Sequence, residues 1–384
     1  MMSFANNIVC MKKLAVIMAC LALSVSCAPK VDDPGMSNDC GWPSYRGNYL
    51  NTGSVHSSCS PSVDSIDLSW KFAAGGAVDQ TPVAGDGKIY IGSINKRFYC
   101  INEADGSEAW THECSDPVAT PAVIVKDKVV FGTKGSSLHC LDVNTGAELW
   151  THDINAIPSI PTADDDSVYV GSSSKEFMRI NVDDGSEIWS VEAPAGIKGC
   201  PVVESGSVVV GCFDGSVIRV DKKTGAITTI KKTSGAITTS IVADSENLYF
   251  ASYDGRIHCI DGKTGEERWS YNVGINQECS PTLWHGKLFF GANNGYFYCL
   301  SVTNGAVVWI YDTGLMRRII GSPVASKGMV WFGSEDNNVY CFNAITGDKL
   351  WSYKTGDRIW SSPIFSNKQL IIGCNDGNLY CFGN

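Results

Sequence analysis

Residues 145–150 read Thr145-Gly146-Ala147-Glu148-Leu149-Trp150, a glycine followed four places later by a tryptophan. The same spacing returns at Gly106/Trp110, Gly185/Trp189, Gly265/Trp269, Gly305/Trp309 and Gly347/Trp351. Gly225 keeps the rhythm with Thr229 in the aromatic position, and Trp70 stands one interval ahead of the first pair. From Trp70 to Trp351, counting Thr229, the intervals are 40, 40, 39, 40, 40, 40 and 42 residues. A fixed period of this size marks one supersecondary unit stacked many times.

The unit itself reads as four short strands. In residues 81–110, Thr81 to Ala84, Lys88 to Gly92, Phe98 to Asn102 and Glu108 to His112 are rich in β-branched and aromatic side chains. Turn clusters separate them, and Asp86-Gly87 has the chemistry of a tight hairpin that needs positive φ. Four such strands cannot bury both faces alone, whereas sheets packed face to face around an axis can. The chain is therefore expected to be all-β, an eight-bladed propeller of four-stranded antiparallel blades. The second strand counts the blades, ending at Gly92, Gly132, Gly171, Gly211, Ala251, Gly291, Gly333 and Gly373. The last copy stops at Leu379-Tyr380-Cys381-Phe382, without a fourth strand, while Leu68-Ser69-Trp70-Lys71-Phe72 is a fourth strand with no blade before it. Pairing of these two ends is expected to close the ring. Trp70, Trp110, Trp150, Trp189, Trp269, Trp309 and Trp351 are read as structural.

Residues 1–26 have the form of a targeting segment. Met11-Lys12-Lys13 is a basic start, with Met11 an alternative initiator to Met1, and Leu14 to Val25 is an apolar run of signal-peptide length. Small residues before Cys27 resemble a bacterial lipoprotein processing site, which implies lipid on Cys27. Residues 27–61 then supply a tether and docking stretch rich in Pro, Ser, Asp, Asn and Gly, and residues 62–384 the propeller. The formal charge is −10, which argues against nucleic acid as a partner, because phosphate binding needs a basic face. Of sixteen cysteines, Cys100, Cys140, Cys259, Cys299, Cys341 and Cys381 share one repeat position, held by Arg179 and Arg219 in the other two copies. One thiol per unit around an array reads as a small buried hydrophobe. Cys40 and Cys59, bracketing the tether, leave a disulfide open.

The Thr-Gly-x-x-x-Trp ending resembles the tryptophan-docking motif of pyrroloquinoline-quinone-type (PQQ-like) propellers. Trp42-Pro43-Ser44-Tyr45-Arg46-Gly47-Asn48, followed by Asn51-Thr52-Gly53, resembles their opening segment. The resemblance spans residues 42–384 and recurs eight times. Length and lipoprotein signal are similar to those of the BamB family of outer-membrane assembly factors. That likeness implies a non-catalytic propeller, lipid-anchored in the cell envelope on one side of the outer membrane, with a protein partner in the β-barrel assembly machinery.

Catalytic patterns are weak. No Cys-Cys pair of the kind quinoprotein dehydrogenases carry is present, nor Cys-x-x-Cys-His for haem. His139 and His258 precede the repeat cysteine, where tyrosine stands in other copies, and His112 and His152 each follow a blade tryptophan by two places. His285 falls in a turn and His56 in the tether. The acidic turns Asp164-Asp165-Asp166 and Glu335-Asp336-Asn337-Asn338 lack the pattern of a calcium loop and read as solvated. No catalytic residue, metal or cofactor is expected. Fourth-to-first and second-to-third loops share one face of the disc, and loops on a rigid scaffold are where binding residues concentrate. Leu315, Met316, Arg317 and Arg318, with Ile319, and then Arg358 and Trp360, are the candidates there for a protein interface. Recognition of a small molecule or glycan at the axial mouth is the competing expectation, and a PQQ-dependent dehydrogenase the third.

Overall fold

The computed structural model describes residues 40–55, 58–314 and 316–383. Residues 1–26, Cys27, His56 and Leu315 lie outside the described residues. Eight four-stranded antiparallel sheets follow one another. They are numbered here as blades 1 to 8, by second strands ending in the order Gly92 to Gly373 given above. Blade 1 consists of Val83–Gly85, Lys88–Gly92, Arg97–Asn102 and Glu108–Glu113. Its hairpin turns at Asp86 and Gly87 with φ of 50° and 70°. Second and third strands read as continuous apolar runs because neighbouring blades cover both their faces; Arg97–Asn102 is buried from Phe98 through Ile101. Fourth strands lie outermost and alternate toward solvent.

Ring closure has the expected form. Asp67–Ala73 pairs antiparallel with Asn378–Gly383, placing Trp70 opposite Cys381 and Phe72 opposite Leu379. Blade 8 is thus completed by the N-terminal strand.

Each blade tryptophan reaches into the next blade. Trp110 packs on Gly146, where a Cβ would come within 2.6 Å of the indole, and its Nε1 donates to Val143 O at 3.0 Å. Trp70, Trp150, Trp189, Trp269 and Trp309 repeat this donation to Glu103, Val182, Lys222, Val302 and Ala344. Trp150 is buried, but the others remain half-buried because the seam they cover opens to the rim. Their removal therefore costs less than a fully buried aromatic would. All six repeat cysteines lie directly opposite a tryptophan in the ladder, from Cys100 across from Trp110 to Cys381 across from Trp70. A small thiol leaves room for the indole beside it. The described cysteines other than Cys40 and Cys59 are free and buried, and burial pushes the Cys140 thiol up to about 12. Cys40 and Cys59 form a disulfide.

The glycines that count the blades are sockets. A Cβ at Gly92, Gly171, Gly211, Gly291 or Gly333 would collide with Val118, Ile197, Ile237, Ile319 or Ile359, the aliphatic residue that the next fourth-to-first loop inserts. Ile319 is completely buried in this role. It is part of the seam between blades 6 and 7, and so does not belong to an exposed interface. Blade 5 has Ala251 in place of the glycine, and the corresponding loop residue is the buried Gln277.

Candidate functional site

The segment Gly41–Val55 lies against the inner edge of the blades. Ala84, Ile124, Val203, Ala243, Leu283 and Ala325 donate their amides to Trp42, Pro43, Tyr49, Leu50, Thr52 and Gly53. These amides would otherwise be unpaired edges. Arg46 is 1% exposed. Its Nη1 donates to Pro323 O and its Nη2 to Pro281 O, both at 2.8 Å, and Nη2 also meets Thr282 Oγ1. Burial lowers its pKa, and backbone carbonyls rather than a carboxylate surround the charge. Asn51 Nδ2 adds bonds to Cys200 O, Pro201 O and Ile241 O. The described part of the expected tether is therefore a plug.

Above the plug lies a cavity of about 570 Å³ that takes lining residues from all eight blades and is floored by Tyr45. Tyr45 is held by a hydrogen bond between its hydroxyl and Ser322 Oγ at 3.0 Å. One residue per blade forms a ring around the axis. The Cys200 amide donates to Ser240 Oγ, Ser240 to Ser280, Ser280 to Ser322, Ser322 to Ser362, and Ser362 to Thr81 Oγ1. Blades 2 and 3 place Pro121 and Ile160 in the ring and interrupt it. The cup is thus hydroxyl-lined on one side, while Ile157, Pro158, Ile160 and Ile197 make the other side apolar.

The rim is built from the loops that the strand order assigns to this face, including Asp79-Gln80, Ile157-Pro158, Lys198, Glu278, Arg318 and Trp360. Arg318 donates through Nε and Nη2 to Glu335 at 3.1 and 2.8 Å, and Trp360 Nε1 donates to the same carboxylate at 2.8 Å. Arg358 stacks over Trp360, 4.4 Å from the ring centre. Burial raises the Glu335 pKa, but the bonds from Arg318 and Trp360 outweigh it and hold the carboxyl below the usual glutamate value. Asp79, mainly through burial, is shifted up. Of the sequence candidates, Arg318, Arg358 and Trp360 come together at the mouth. Arg317 is exposed at the rim, and Met316 is 81% exposed with φ of 49°.

Sequence reasoning missed the hydroxyl ring and the buried Arg46. A usable signal for the ring existed in the recurring Thr81-Pro82, Ser280-Pro281, Ser322-Pro323 and Ser362-Pro363. The acidic turns are occupied by protein partners: Asp164 pairs with Lys222 and Tyr169, Asp166 with Arg179, and Asp336 with Tyr340. Asp79 is bonded to Gln80, and Glu278 to Tyr253 and Arg318. Among the described residues, the acids facing the cup do not converge on a common point as cation ligands would.

Residues 154–383 match the model of the family described as beta-alanine-activating enzyme, beta-propeller. No curated protein sequence matches the chain. Among solved structures, BamB from Moraxella catarrhalis superposes with a TM-score of 0.73 at 19% identity, covering 83% of this chain and 100% of that one. A europium-containing methanol dehydrogenase gives 0.78 at 13% identity, with 92% and 99% covered. Quinohemoprotein alcohol dehydrogenase from Comamonas testosteroni gives 0.74 at 15% identity, with 90% and 81% covered. At these identities the likeness establishes the fold, a PQQ-like propeller shared with BamB and the two dehydrogenases. With more than half of its length matched, from residue 154 to residue 383, the chain belongs to the beta-alanine-activating enzyme beta-propeller family.

Proposed function

We propose that the protein is a non-catalytic binding scaffold of the bacterial cell envelope, anchored to the outer membrane by lipid on Cys27, and that it grips a protein partner at the mouth of the axial cup. Assembly of outer-membrane β-barrels, in the manner of BamB, is the specific form of this proposal. The observation that carries it is the rim. Exposed Met316 and Arg317 precede Arg318 in the chain, and Arg318 shares the Glu335 carboxylate with Trp360, which is stacked under Arg358. A large aromatic held rigid beside arginines is the composition of a binding hot spot.

The test is a photo-crosslinking amino acid placed at Met316 in intact cells, with Ile345 as control. Ile345 is also exposed but lies in a third-to-fourth turn, on the opposite face. An adduct with a barrel-assembly subunit from position 316 and none from 345 is expected. No such adduct, or equal adducts from both faces, refutes the proposal.

The size of the cup and its split wall favour a second reading, a small-molecule or glycan ligand. A quinone titration followed by dye-linked alcohol oxidation separates the dehydrogenase form of that reading from simple binding.

A further inference from the structure

The seam between blades 1 and 2 carries a cluster that the cup does not use. His112, on the fourth strand of blade 1, has Nε2 3.5 Å from Glu148 Oε2. His139, on the third strand of blade 2, has Nδ1 2.9 Å from the same oxygen. The ligand atoms of these three residues all lie within 4.8 Å of one another. The far nitrogen of His139, Nε2, meets Ser137 Oγ at 3.0 Å, and Ser137 Oγ meets Thr133 Oγ1 at 2.8 Å. His139 is buried, His112 half-buried, and Glu148 exposed, so the cluster is open on one side.

The seam between blades 4 and 5 has the same layout with one difference in charge. There His258 Nδ1 lies 3.0 Å from Glu267 Oε2, and Lys231 Nζ lies 3.6 Å from that oxygen. Lys231 and His112 occupy one repeat position, two places after Thr229 and Trp110. His258 Nε2 faces Asp254 at 3.0 Å, where His139 faces a serine hydroxyl. In the blade 4–5 seam an ammonium balances the glutamate, and acids flank the imidazole on both sides. In the blade 1–2 seam the ammonium is replaced by a group that binds metals when neutral, and the second acid by a hydroxyl.

We propose that His112, His139 and Glu148 form a site for a divalent transition-metal ion of the Zn²⁺ type, which supplies the charge that Lys231 supplies at the sister seam and ties blade 1 to blade 2. Two imidazoles and one carboxylate suit Zn²⁺ better than Ca²⁺ or Mg²⁺, which prefer all-oxygen sets. Tetrahedral ligands about 2 Å from the ion stand about 3.3 Å apart, so the spacing here needs only small side-chain movement. Ligation through Nδ1 places the remaining His139 proton on Nε2, where Ser137 Oγ accepts it and in turn donates to Thr133. An outer-shell bond of this kind fixes the ring and raises its basicity. The fourth position faces solvent.

The full chain, stripped of metal, is titrated with Zn²⁺ alone by calorimetry and with Co²⁺ by visible spectroscopy. One ion per chain is expected, with a Co²⁺ spectrum of nitrogen and oxygen ligands and no thiolate charge-transfer band. His112→Lys copies the sister seam and should keep the fold while abolishing binding. Glu148→Gln, at an exposed position, gives the same loss by a second route. Ser137→Ala weakens binding by about 10–100-fold. Lys231→Ala leaves it unchanged. Zn²⁺ raises the melting temperature of the wild type but not that of His112→Lys. Absence of saturable binding, undiminished binding in His112→Lys and Glu148→Gln, or a thiolate band overturns the proposal.

Discussion

Replacing Gly291 with alanine tests the socket geometry on which the mouth rests. The backbone at Gly291 lies outside the left-handed range, so the substitution tests space alone. The new Cβ would lie 2.1 Å from Ile319 Cγ2 and 2.4 Å from Ile319 Cβ, against an ordinary contact of 3.4–4 Å. Ile319 must retreat by more than an ångström or leave the socket. Overpacking of this kind costs about 1–3 kcal/mol, and expelling an isoleucine forfeits about 1.5–3 kcal/mol of burial. Gly291→Ala is therefore expected to lose about 2–3 kcal/mol, and to shift Arg318, the neighbour of Ile319, from Glu335. The assay is equilibrium guanidinium unfolding, followed by tryptophan fluorescence and circular dichroism so that coincident curves verify two-state behaviour. Adding Ile319→Gly removes both clashing side-chain atoms, so the double variant should be more stable than the sum of the single losses predicts, by about 1 kcal/mol or more. Gly206→Ala, where a Cβ meets nothing within 4 Å, is the control and should be neutral or slightly stabilising. A Gly291→Ala protein within about 0.5 kcal/mol of wild type, or strict additivity in the double variant, refutes the socket.

Three further outcomes are expected. Glu335, with its folded pKa below the unfolded value of about 4.3, contributes stability that is present above that value and lost as pH falls through the folded pKa. The mouth should therefore loosen only in acid, with the Trp360 indole proton resonance reporting it. Glu335→Gln should produce part of that loss at pH 7, about 1–2 kcal/mol once solvent screening at the part-exposed Arg318 is allowed for. Arg46→Met leaves the buried carbonyl of Pro281 without its donor, and Pro323 O with Thr282 Oγ1 alone, and should cost about 2–4 kcal/mol. Arg46→Lys should not restore the loss, because an ammonium lacks the guanidinium's fork; unfolding midpoints check both. Deleting Asp67–Ala73 strips the outer strand from blade 8 and exposes the Asn378–Gly383 edge. Size-exclusion chromatography should then show aggregation or domain-swapped dimers, and an unchanged monomer would refute closure by that strand.

What was legible in the sequence was whatever the repeat multiplies. The Gly-x-x-x-Trp spacing announces a contact between blades, and six copies of it leave little room for another architecture. The unpaired fourth strand around Trp70 likewise foretells ring closure, because a strand without a sheet needs a partner. Loop placement on the disc follows from strand order alone, which is why Arg318, Arg358 and Trp360 could be assigned to one face. Features that break the repeat were harder to see. Arg46 occurs once, and only the fold places its guanidinium among the carbonyls of Pro281 and Pro323. Ile319 looked like a surface residue beside arginines, yet it occupies the socket position that Val118 and Ile197 hold elsewhere. Counting back three residues from Ser322, as Ile237 stands from Ser240 and Ile359 from Ser362, would have identified it. The pairing of His112 with His139 joins two repeat positions in adjacent blades, each unremarkable in its own copy.

The plug determines what kind of site the axis can be. Gly41–Val55 and the buried Arg46 fill one end, so among the described residues the cup opens at the opposite end. That geometry suits retention of a group rather than passage through the disc. The ring hydroxyls add a preference in polarity. Ser240, Ser280 and Ser362 each accept a backbone amide from the preceding blade, which leaves each hydroxyl its own proton to donate. That side of the wall therefore favours oxygen acceptors, while Ile157, Ile160 and Ile197 opposite favour apolar surface. If the partner proposed to bind at the mouth extended a loop into the cup, that loop would turn its carbonyls toward the serines and an aliphatic or aromatic side chain toward blades 3 and 4. Replacing Ser240 and Ser280 by alanine would leave the apolar wall but strip the Cys200 and Ser240 amides of their acceptors, and should weaken capture of that partner; removing Ile160 should weaken it through lost burial instead.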